Sequence, residues 1–211
     1  LTGGKLKQGI ALLEQAVQAD PSAAQVRCDL GTAWWQAGEP AKAEQAYAMA
    51  LQTEPENPFV LNAFGAFQMQ QGRHGEAEPL LARAFALQPG HYEIPNNLGL
   101  LRLRQNRLAE AESLFAESIR LNPAWPNAYA NLADVLYTTH RNELSERAYR
   151  QALQLNPRHA GAWSSFAELH IRMRRESDAF ACLRKSLEID PGNALTWGRM
   201  ISLLEKKSLL K

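Results

Sequence analysis

Six prolines recur at one fixed interval, and this interval limits the fold more than any other feature of the chain. Each lies 34 residues from the next: Pro21, Pro55, Pro89, Pro123, Pro157 and Pro191. The chain has only 11 prolines in 211 residues, so five equal intervals are not a chance arrangement. A constant period of this length is typical of stacked supersecondary units that bury a continuous core. The sequence therefore predicts a repeat protein.

Other residue types keep the same step of 34. Small and large side chains at fixed offsets let two helices approach closely and interlock. Within each period the apolar residues are spaced as on helices, and no strand pattern occurs. We predict an all-α fold of antiparallel helix hairpins, with two helices in each period. The small column contains Gly31, Gly65, Gly99, Ala133 and Ala167, and the bulky column contains Tyr47, Leu81, Phe115, Tyr149 and Leu183.

The residues between the two helices of a period predict a tight turn. Gly38, Gly72 and Asn106 tolerate a positive φ, but the same column continues as His140 and Arg174. A residue other than glycine costs about 1 kcal/mol when it is held in the left-handed conformation. We therefore expect the last two turns to be reshaped or looser than the first two.

Three further prolines bear on where helices begin. Pro58 and Pro126 are expected near the first position of a helix, where the missing N–H costs nothing. Pro79 lies within a second helix. We expect it to fall in the first turn of that helix, where proline is tolerated, and otherwise to kink the helix.

These columns together resemble the pattern of the tetratricopeptide repeat family. The unit 24–57 shows it as Leu30-Gly31, Trp34, Ala43, Tyr47, Ala50 and Pro55. The resemblance implies a right-handed superhelical solenoid of helix hairpins, with first helices lining a concave groove that binds peptides or helices of partner proteins. It also implies one array over residues 1–211. Its parts are a leading second helix (1–23), full repeats (24–57, 58–91, 92–125, 126–159 and 160–193) and a trailing first helix (194–211).

By this resemblance, asparagines of the first helices face the groove. Asn62, Asn96, Asn97 and Asn131 lie in the middle of helices, although asparagine is a poor helix former. Each amide offers a donor and an acceptor, so these residues predict a series that holds the main chain of an extended peptide. Hydrogen bonding between neighbouring repeats is the alternative interpretation.

Three other groups of residues keep the period. The first is an apolar column that either lines the groove or packs between repeats. Two acidic residues complete the predicted peptide-binding set, and an arginine column at the start of second helices is expected to be a solvated edge. The apolar column is Trp35, Met69, Leu103, Tyr137 and Ile171, the acidic residues are Asp134 and Glu168, and the arginines are Arg73, Arg107, Arg141 and Arg175.

Composition and spacing argue against several classes of function. The balance of 23 basic and 22 acidic residues gives no footprint of a nucleic-acid binder. No apolar run is long enough for membrane insertion. The five histidines lack metal-ligand spacing and no phosphate-binding glycine loop occurs, so we expect no metal, no cofactor and no catalytic residue. Cys28 and Cys182 lie more than four repeats apart and are expected as small buried residues, not as a disulfide.

The favoured function is a protein–protein interaction scaffold that is not catalytic by itself. A chaperone-type clamp would need several basic groove residues, and Arg199 is the only one in the groove columns. The alternative is the substrate-recruiting arm of a larger enzyme, similar to the repeat region of peptide O-GlcNAc transferases. Asn97 and Asn131 match the asparagine series of that group, whereas Asp29, Ala63 and Ser165 interrupt it.

The two ends of the chain carry further expectations. Leu1 falls inside the pattern, and residues 204–211 read like the entry to another repeat, which favours a fragment of a longer protein. The unpaired first and last helices are complementary, so we predict weak head-to-tail self-association. Nothing in the sequence fixes the compartment. A bacterial cytoplasmic adaptor is favoured, with the periplasm as the alternative.

Overall fold

A computed structural model describes residues 2–208 of the chain, with side chains from residue 4 to residue 205. These residues form twelve helices and no strand, so the predicted all-α fold is confirmed. The helices are α1 (Thr2–Ala19), α2 (Ala24–Gln36), α3 (Pro40–Thr53), α4 (Pro58–Gln70), α5 (His74–Leu87), α6 (Glu93–Arg104), α7 (Leu108–Leu121), α8 (Pro126–Thr138), α9 (Asn142–Leu155), α10 (Ala160–Arg172), α11 (Glu176–Ile189) and α12 (Ala194–Ser208).

The chain divides into two compact units, the first ending at Leu101 and the second beginning at Arg102. In the first unit, α2 pairs with α3 and α4 with α5. In the second unit, α8 pairs with α9 and α10 with α11, and α12 packs on α11. The even-numbered helices from α2 onward are the first helices of the hairpins, and the odd-numbered helices are the second helices.

The recurring prolines end the second helices. The residue before a proline is pushed out of the α region by a clash with the proline ring. Glu54, before Pro55, has φ −134° and ψ 79°, and it caps α3. Asn156, before Pro157, has φ −137° and ψ 90°, and it caps α9. Each recurring proline therefore fixes the point at which the chain leaves one helix and turns toward the next.

The carbonyl group of a recurring proline is bound by a side chain of the following first helix. Trp163 Nε1 donates to the carbonyl oxygen of Pro157 at 2.9 Å, and Trp197 Nε1 donates to that of Pro191 at 2.9 Å. Arg27 makes the equivalent bond to the Pro21 carbonyl at 2.6 Å. A long side chain six residues after the proline thus donates a hydrogen bond to a carbonyl group that no helical N–H reaches.

Close contact within a hairpin depends on the small column of the first helix. A Cβ atom added to Gly31 would lie 3.1 Å from the ring of Tyr47. A Cβ atom added to Gly65 would lie only 2.8 Å from Leu81 Cγ. Tyr47 and Leu81 are both buried. The pairing of small and large columns predicted from the sequence is therefore the way in which the two helices of a hairpin interlock.

All five turns within the hairpins keep the left-handed conformation, so the prediction of reshaped late turns is wrong. φ is 78° at Gly38 and 77° at Gly72, and it is 59°, 59° and 57° at Asn106, His140 and Arg174. The hydrogen bonds are also the same. The Gly38 N–H donates to Trp35 at 3.0 Å, and the Arg174 N–H donates to Ile171 at 3.0 Å. This bond and the one made by the next residue offset the roughly 1 kcal/mol strain of a single left-handed residue.

Of the five prolines outside the recurring set, the three considered above behave in two ways. Pro58 and Pro126 begin α4 and α8, as predicted. Pro79 is the sixth residue of α5, beyond the first turn, so its predicted position is wrong. The helix continues from His74 to Leu87 nonetheless. Proline removes one internal hydrogen bond, and we attribute the continuity of α5 to the packing of its buried Ala77, Leu81 and Ala84.

Candidate functional site

The predicted groove residues lie on first helices of both units, and the asparagines of the first unit bind one another. Asn97 Nδ2 donates to Asn62 Oδ1 at 3.1 Å, which joins α6 to α4. Asn96 Nδ2 lies 3.5 Å from Asn97 Oδ1. Asn62 is 7% exposed and Asn96 is 4% exposed. The expectation that these two face solvent is therefore wrong, because the inter-repeat bond satisfies the amides inside the stack.

The apolar column of the first unit is used mainly for packing. Met69 is 2% exposed, so it does not line an accessible groove as expected. Trp35 is half-buried and meets Phe67 edge to face, with ring centroids 5.4 Å apart. Phe67 in turn packs against Tyr47 at a centroid distance of 5.2 Å. Aromatic pairs of this geometry stabilise the core of the unit, and they take up surface that a partner would otherwise contact.

In the second unit, the predicted acidic residues belong to a charged network on the first helices. Tyr149 Oη donates to Asp134 Oδ1. Arg199 binds Glu168 Oε1 through Nε at 2.9 Å and donates from Nη1 to Ser164 Oγ at 2.6 Å. The network therefore pairs Glu168 with a cation and supplies Asp134 with a donor.

The position of Asp134 changes its acidity. Burial raises the pKa of Asp134 to about 6, although hydrogen bonds from Tyr149 and Ser165 act in the opposite direction. The nearby charge of Glu168 raises this pKa further, and that of Arg199 lowers it. Near neutral pH, Asp134 therefore carries less than a full negative charge, and this network is less acidic than its sequence indicates.

Tyr137 and Arg172 form the second element of this network. The Arg172 guanidinium lies over the Tyr137 ring, with Cζ 3.3 Å from the ring centroid. Arg172 Nη1 also donates to the backbone carbonyl of Tyr137. Stacking on an aromatic face holds a guanidinium in one orientation while part of its edge stays available. Tyr137 and Arg172 are each half-buried.

These residues surround an open pocket of about 620 Å³. It lies where three first helices, α8, α10 and α12, come together in the second unit. Its lining is mainly apolar, with a small charged part, which is the composition typical of binding sites. The residues that define its chemistry are Tyr137, Glu168, Ile171, Arg172, Leu195 and Arg199. We call this feature the α10–α12 pocket.

The other two predicted groove residues add less to this picture. Asn131 on α8 is half-buried, and so is Leu103 near the end of α6. Neither lines the α10–α12 pocket. Of the ten predicted groove residues, Tyr137 and Glu168 line the α10–α12 pocket.

Sequence reasoning missed Arg172, which lines the pocket. Its column reads Gln36, Gln70, Arg104, Thr138 and Arg172, so no single residue type runs through the column and periodicity does not mark it as a site. A search for columns of one residue type finds what the scaffold needs in every repeat. A residue that serves one site in one repeat leaves no such pattern.

Three of the four arginines in the column form ion pairs between repeats, so the column is not simply the expected solvated edge; Arg107 pairs with Glu110 of the same repeat. Arg73 Nη1 lies 2.6 Å from Glu44 Oε1, and Arg175 Nη1 lies 2.9 Å from Glu146 Oε1. Arg141 binds Glu112 in the same way. The signal was in the sequence, because the glutamates also keep the step of 34. In α11 this glutamate position is held by Phe180, which is 40% exposed.

Neither cysteine is activated for chemistry. Cys28 and Cys182 are buried and free. Burial raises the pKa of the Cys28 thiol to about 12, and the charges of Asp29 and Glu54 raise it further. Burial raises the pKa of Cys182 to about 11. Both thiols therefore stay protonated at neutral pH and act as small apolar side chains.

Two further features of the described residues bear on function. Residues 2–208 contain no helix long and apolar enough to cross a membrane. The same part of the chain brings together no group of three His, Cys, Asp or Glu side chains that could hold a metal ion.

Paired helices, interlocked columns and inter-repeat hydrogen bonds define the class of helical-hairpin repeat proteins. One tetratricopeptide repeat model matches residues 1–58 and 131–194, and a second model of the same repeat matches residues 68–136. The chain belongs to the tetratricopeptide repeat family. Its fold is generally that of a non-catalytic scaffold that binds other proteins.

Solved structures share this solenoid fold. A structure of the APC/C hetero-tetramer Cut9–Hcn1 matches with a TM-score of 0.84 at 20% identity, covering 95% of this chain and 40% of that chain. This chain therefore spans less than half of that relative. The pilF protein of Pseudomonas aeruginosa matches with a TM-score of 0.72 at 26% identity, covering 96% and 92% of the two chains. PilW, a type IV pilus biogenesis factor, gives 0.78 at 17% identity, covering 94% and 92%. No match was found among curated proteins.

Proposed function

We propose that the chain is a protein-binding scaffold that takes a peptide segment of its partner into the α10–α12 pocket. The single observation that carries this proposal is the pocket itself, an open space of about 620 Å³ on the first helices of the second unit. It contains Tyr137 and Glu168, two residues predicted as groove residues from the sequence. Family membership supports a protein partner, because arrays of this repeat are generally scaffolds.

In the first unit, fewer of the predicted groove residues are available to contact a peptide. Asn62, Asn96 and Met69 are buried, and the amides of Asn62 and Asn97 bind each other. A partner that used them would first have to break hydrogen bonds within the stack, which costs about 1–3 kcal/mol for each group left unsatisfied. In contrast, Leu195 at the pocket is 65% exposed and is free to make a new apolar contact.

A selection of random peptides on the whole chain tests this proposal. Leu195→Glu places a charge at the apolar side of the pocket, and Leu12→Glu is the matched control, since Leu12 on α1 is 66% exposed. Selected peptides should lose at least about tenfold in affinity for Leu195→Glu, because the substitution replaces an apolar contact with a charged group that binding must desolvate. They should bind Leu12→Glu as they bind the native chain. Equal affinity for all three proteins would show that the pocket is not the peptide site.

The predicted head-to-tail association stays a proposal. The face of α12 carries Trp197, Ile201 and Leu204, which are 48%, 51% and 47% exposed. Apolar surface of this kind is typical of contact sites. Sedimentation velocity over a hundredfold concentration range tests it: a constant monomer coefficient argues against self-association. The enzyme-arm alternative also stays a prediction, and the sequence of the source gene beyond Lys211 tests it.

A further inference from the structure

The charge of the α10–α12 pocket comes from one arginine that the scaffold does not neutralise. Arg199 is paired with Glu168 at 2.8 Å, so these two charges offset each other. Asp134 accepts a hydrogen bond from Tyr149. Among the described residues, no ion pair joins Arg172 to a carboxylate. Its recorded acceptors are the Tyr137 carbonyl and, at 3.5 Å, Asn142 Oδ1. The pocket therefore presents a net positive charge at Arg172.

Arg172 differs in this respect from the other arginines that join repeats. Arg73, Arg141 and Arg175 each bind a glutamate of the preceding repeat. Arg172 also reaches the preceding repeat, but it ends on a neutral carbonyl of Tyr137. A guanidinium has five N–H donors, and those not used on Tyr137 match the two oxygens of a carboxylate. A carboxylate is thus the missing partner at this position.

Apolar surface lies directly beside this cation. Ile171 is the neighbour of Arg172 on α10, and Leu195 and Leu203 on α12 line the same pocket. The pocket volume exceeds that of a single side chain. A segment that runs through the pocket can supply a side-chain carboxylate and an adjoining apolar side chain at the same time.

We propose that the α10–α12 pocket selects an internal peptide segment in which Asp or Glu adjoins Leu, Ile or Phe. The side-chain carboxylate binds Arg172, and the apolar side chain packs against Ile171, Leu195 and Leu203. This inference rests on the proposed function, since it names the partner chemistry of the same pocket. Complementary charge makes binding specific, and it makes binding weaker as salt screens the contact.

The test uses the peptides selected on the native chain, prepared with acetylated N-termini and amidated C-termini. Their affinities are measured by fluorescence anisotropy for the native chain, Arg172→Gln, Arg172→Lys and Arg184→Gln. Arg184→Gln is the matched control: it also removes one positive charge, from an arginine on α11 whose side chain is 65% exposed. Circular dichroism and thermal unfolding establish that each variant is folded.

The inference expects selected sequences to place an acidic residue beside an aliphatic or aromatic one. Affinity should fall about tenfold for Arg172→Gln, the scale of one charge-assisted contact. It should fall less for Arg172→Lys, which keeps the charge, and stay unchanged for Arg184→Gln. Raising NaCl from 50 to 500 mM should weaken binding to the native chain more than binding to Arg172→Gln.

Other outcomes separate the two proposals. Peptides without an acidic residue that still depend on Leu195 would overturn the inference and leave the proposed function intact. Acidic peptides that bind Arg172→Gln as tightly as the native chain would do the same. Peptides that bind only with a free C-terminal carboxylate would show that Arg172 binds the end of the peptide chain and not the side chain of Asp or Glu, which would overturn the inference. Peptides that are indifferent to Leu195→Glu would overturn the proposed function, and the inference would fall with it.

Discussion

The two units use the same pair of repeat positions in different ways. In the first unit, the Tyr47 hydroxyl and the Thr32 hydroxyl lie 2.8 Å apart. In the second unit, the equivalent tyrosine, Tyr149, donates to Asp134. The backbone positions correspond, because both pairs are 15 residues apart in equivalent repeats. The contact in the first unit therefore joins two neutral hydroxyl groups, whereas the contact in the second unit joins a hydroxyl group to a carboxylate.

This difference shows how a repeat scaffold acquires a local site. The neutral pair in the first unit completes a core in which polar atoms bind one another, as Asn62 and Asn97 also do. The acidic residue in the second unit lies near Glu168 and Arg199, which reach the α10–α12 pocket. Side chains that differ at equivalent repeat positions give the second unit the charged α10–α12 pocket without changing the hairpins that support it.

Removing the tyrosine hydroxyl in each unit should give the largest contrast. Tyr149→Phe leaves the Asp134 carboxylate without its main donor, and we expect a loss of about 3 kcal/mol in unfolding free energy at pH 7.5. Tyr47→Phe leaves only the Thr32 hydroxyl, which is exposed to water, so about 1 kcal/mol is expected. Urea denaturation measures both. Equal losses would mean that the carboxylate does not distinguish the two units.

The next effect is a dependence of stability on pH that belongs to the second unit. The folded pKa of Asp134, about 6, lies above its ordinary value of 3.8. Its carboxyl group therefore favours folding when protonated, and that contribution is lost as pH rises from about 4 through 6. The change is on the order of 2 kcal/mol.

Asp134→Asn is the control for this pH dependence. The amide can still accept from Tyr149, but it does not titrate, so the corresponding part of the slope between pH 4 and pH 7 should disappear. Urea midpoints at several pH values measure it. If the native chain and Asp134→Asn show the same slope, the titration belongs to other groups.

A smaller effect should follow from Pro79 in α5 of the first unit. Pro79→Ala restores an N–H that can donate to the Gly75 carbonyl, and we expect a gain of about 1 kcal/mol in unfolding free energy. Ser113→Ala at the equivalent position of α7 changes only helix propensity and should give less than half of that. A loss of stability in Pro79→Ala would instead mean that the packing of α5 requires the proline ring.

The ion pairs between repeats should give the smallest effect, and it should be similar in both units. Arg73 and Glu44 are 33% and 40% exposed at their side chains, and Arg141 and Glu112 are 39% and 34% exposed. Arg73→Ala and Arg141→Ala should each cost about 0.5 kcal/mol, less at 0.5 M NaCl. Thermal unfolding at two salt concentrations checks this. A loss above 2 kcal/mol would indicate that packing of the arginine stem dominates.

The fold was predictable because its determinants repeat. The prolines from Pro21 to Pro191 and the small column containing Gly65 recur in sequence because each hairpin has the same geometric needs. The turn prediction failed at His140 and Arg174, since it weighed the intrinsic preference of one residue without the two backbone hydrogen bonds that hold it. The ion pairs were missed because the arginine column was considered without the glutamate column that contains Glu44.

The site was less predictable for the opposite reason. Whether Asn62 bonds a peptide or Asn97 is decided by side-chain orientation between helices, which no single column records. The column of Arg172 changes residue type from repeat to repeat, so periodicity does not single it out. Its role depends on the Tyr137 ring that it stacks on and on its lack of a carboxylate partner. Exposure of Leu195 depends on the helices packed around it, so the pocket became visible only in three dimensions.

The amide bond between Asn62 and Asn97 has a consequence for how the chain avoids misassembly. Repeats with nearly the same small and large columns can be mistaken for one another, and a helix could dock one hairpin too early or too late. In such a mispaired stack, Asn62 and Asn97 would be enclosed without each other, at about 1–3 kcal/mol for each amide. We therefore expect the pair to disfavour packing on α4 by a helix that lacks an asparagine at the position of Asn97, such as α10 with Ser165, although α8 carries Asn131 there and is not excluded.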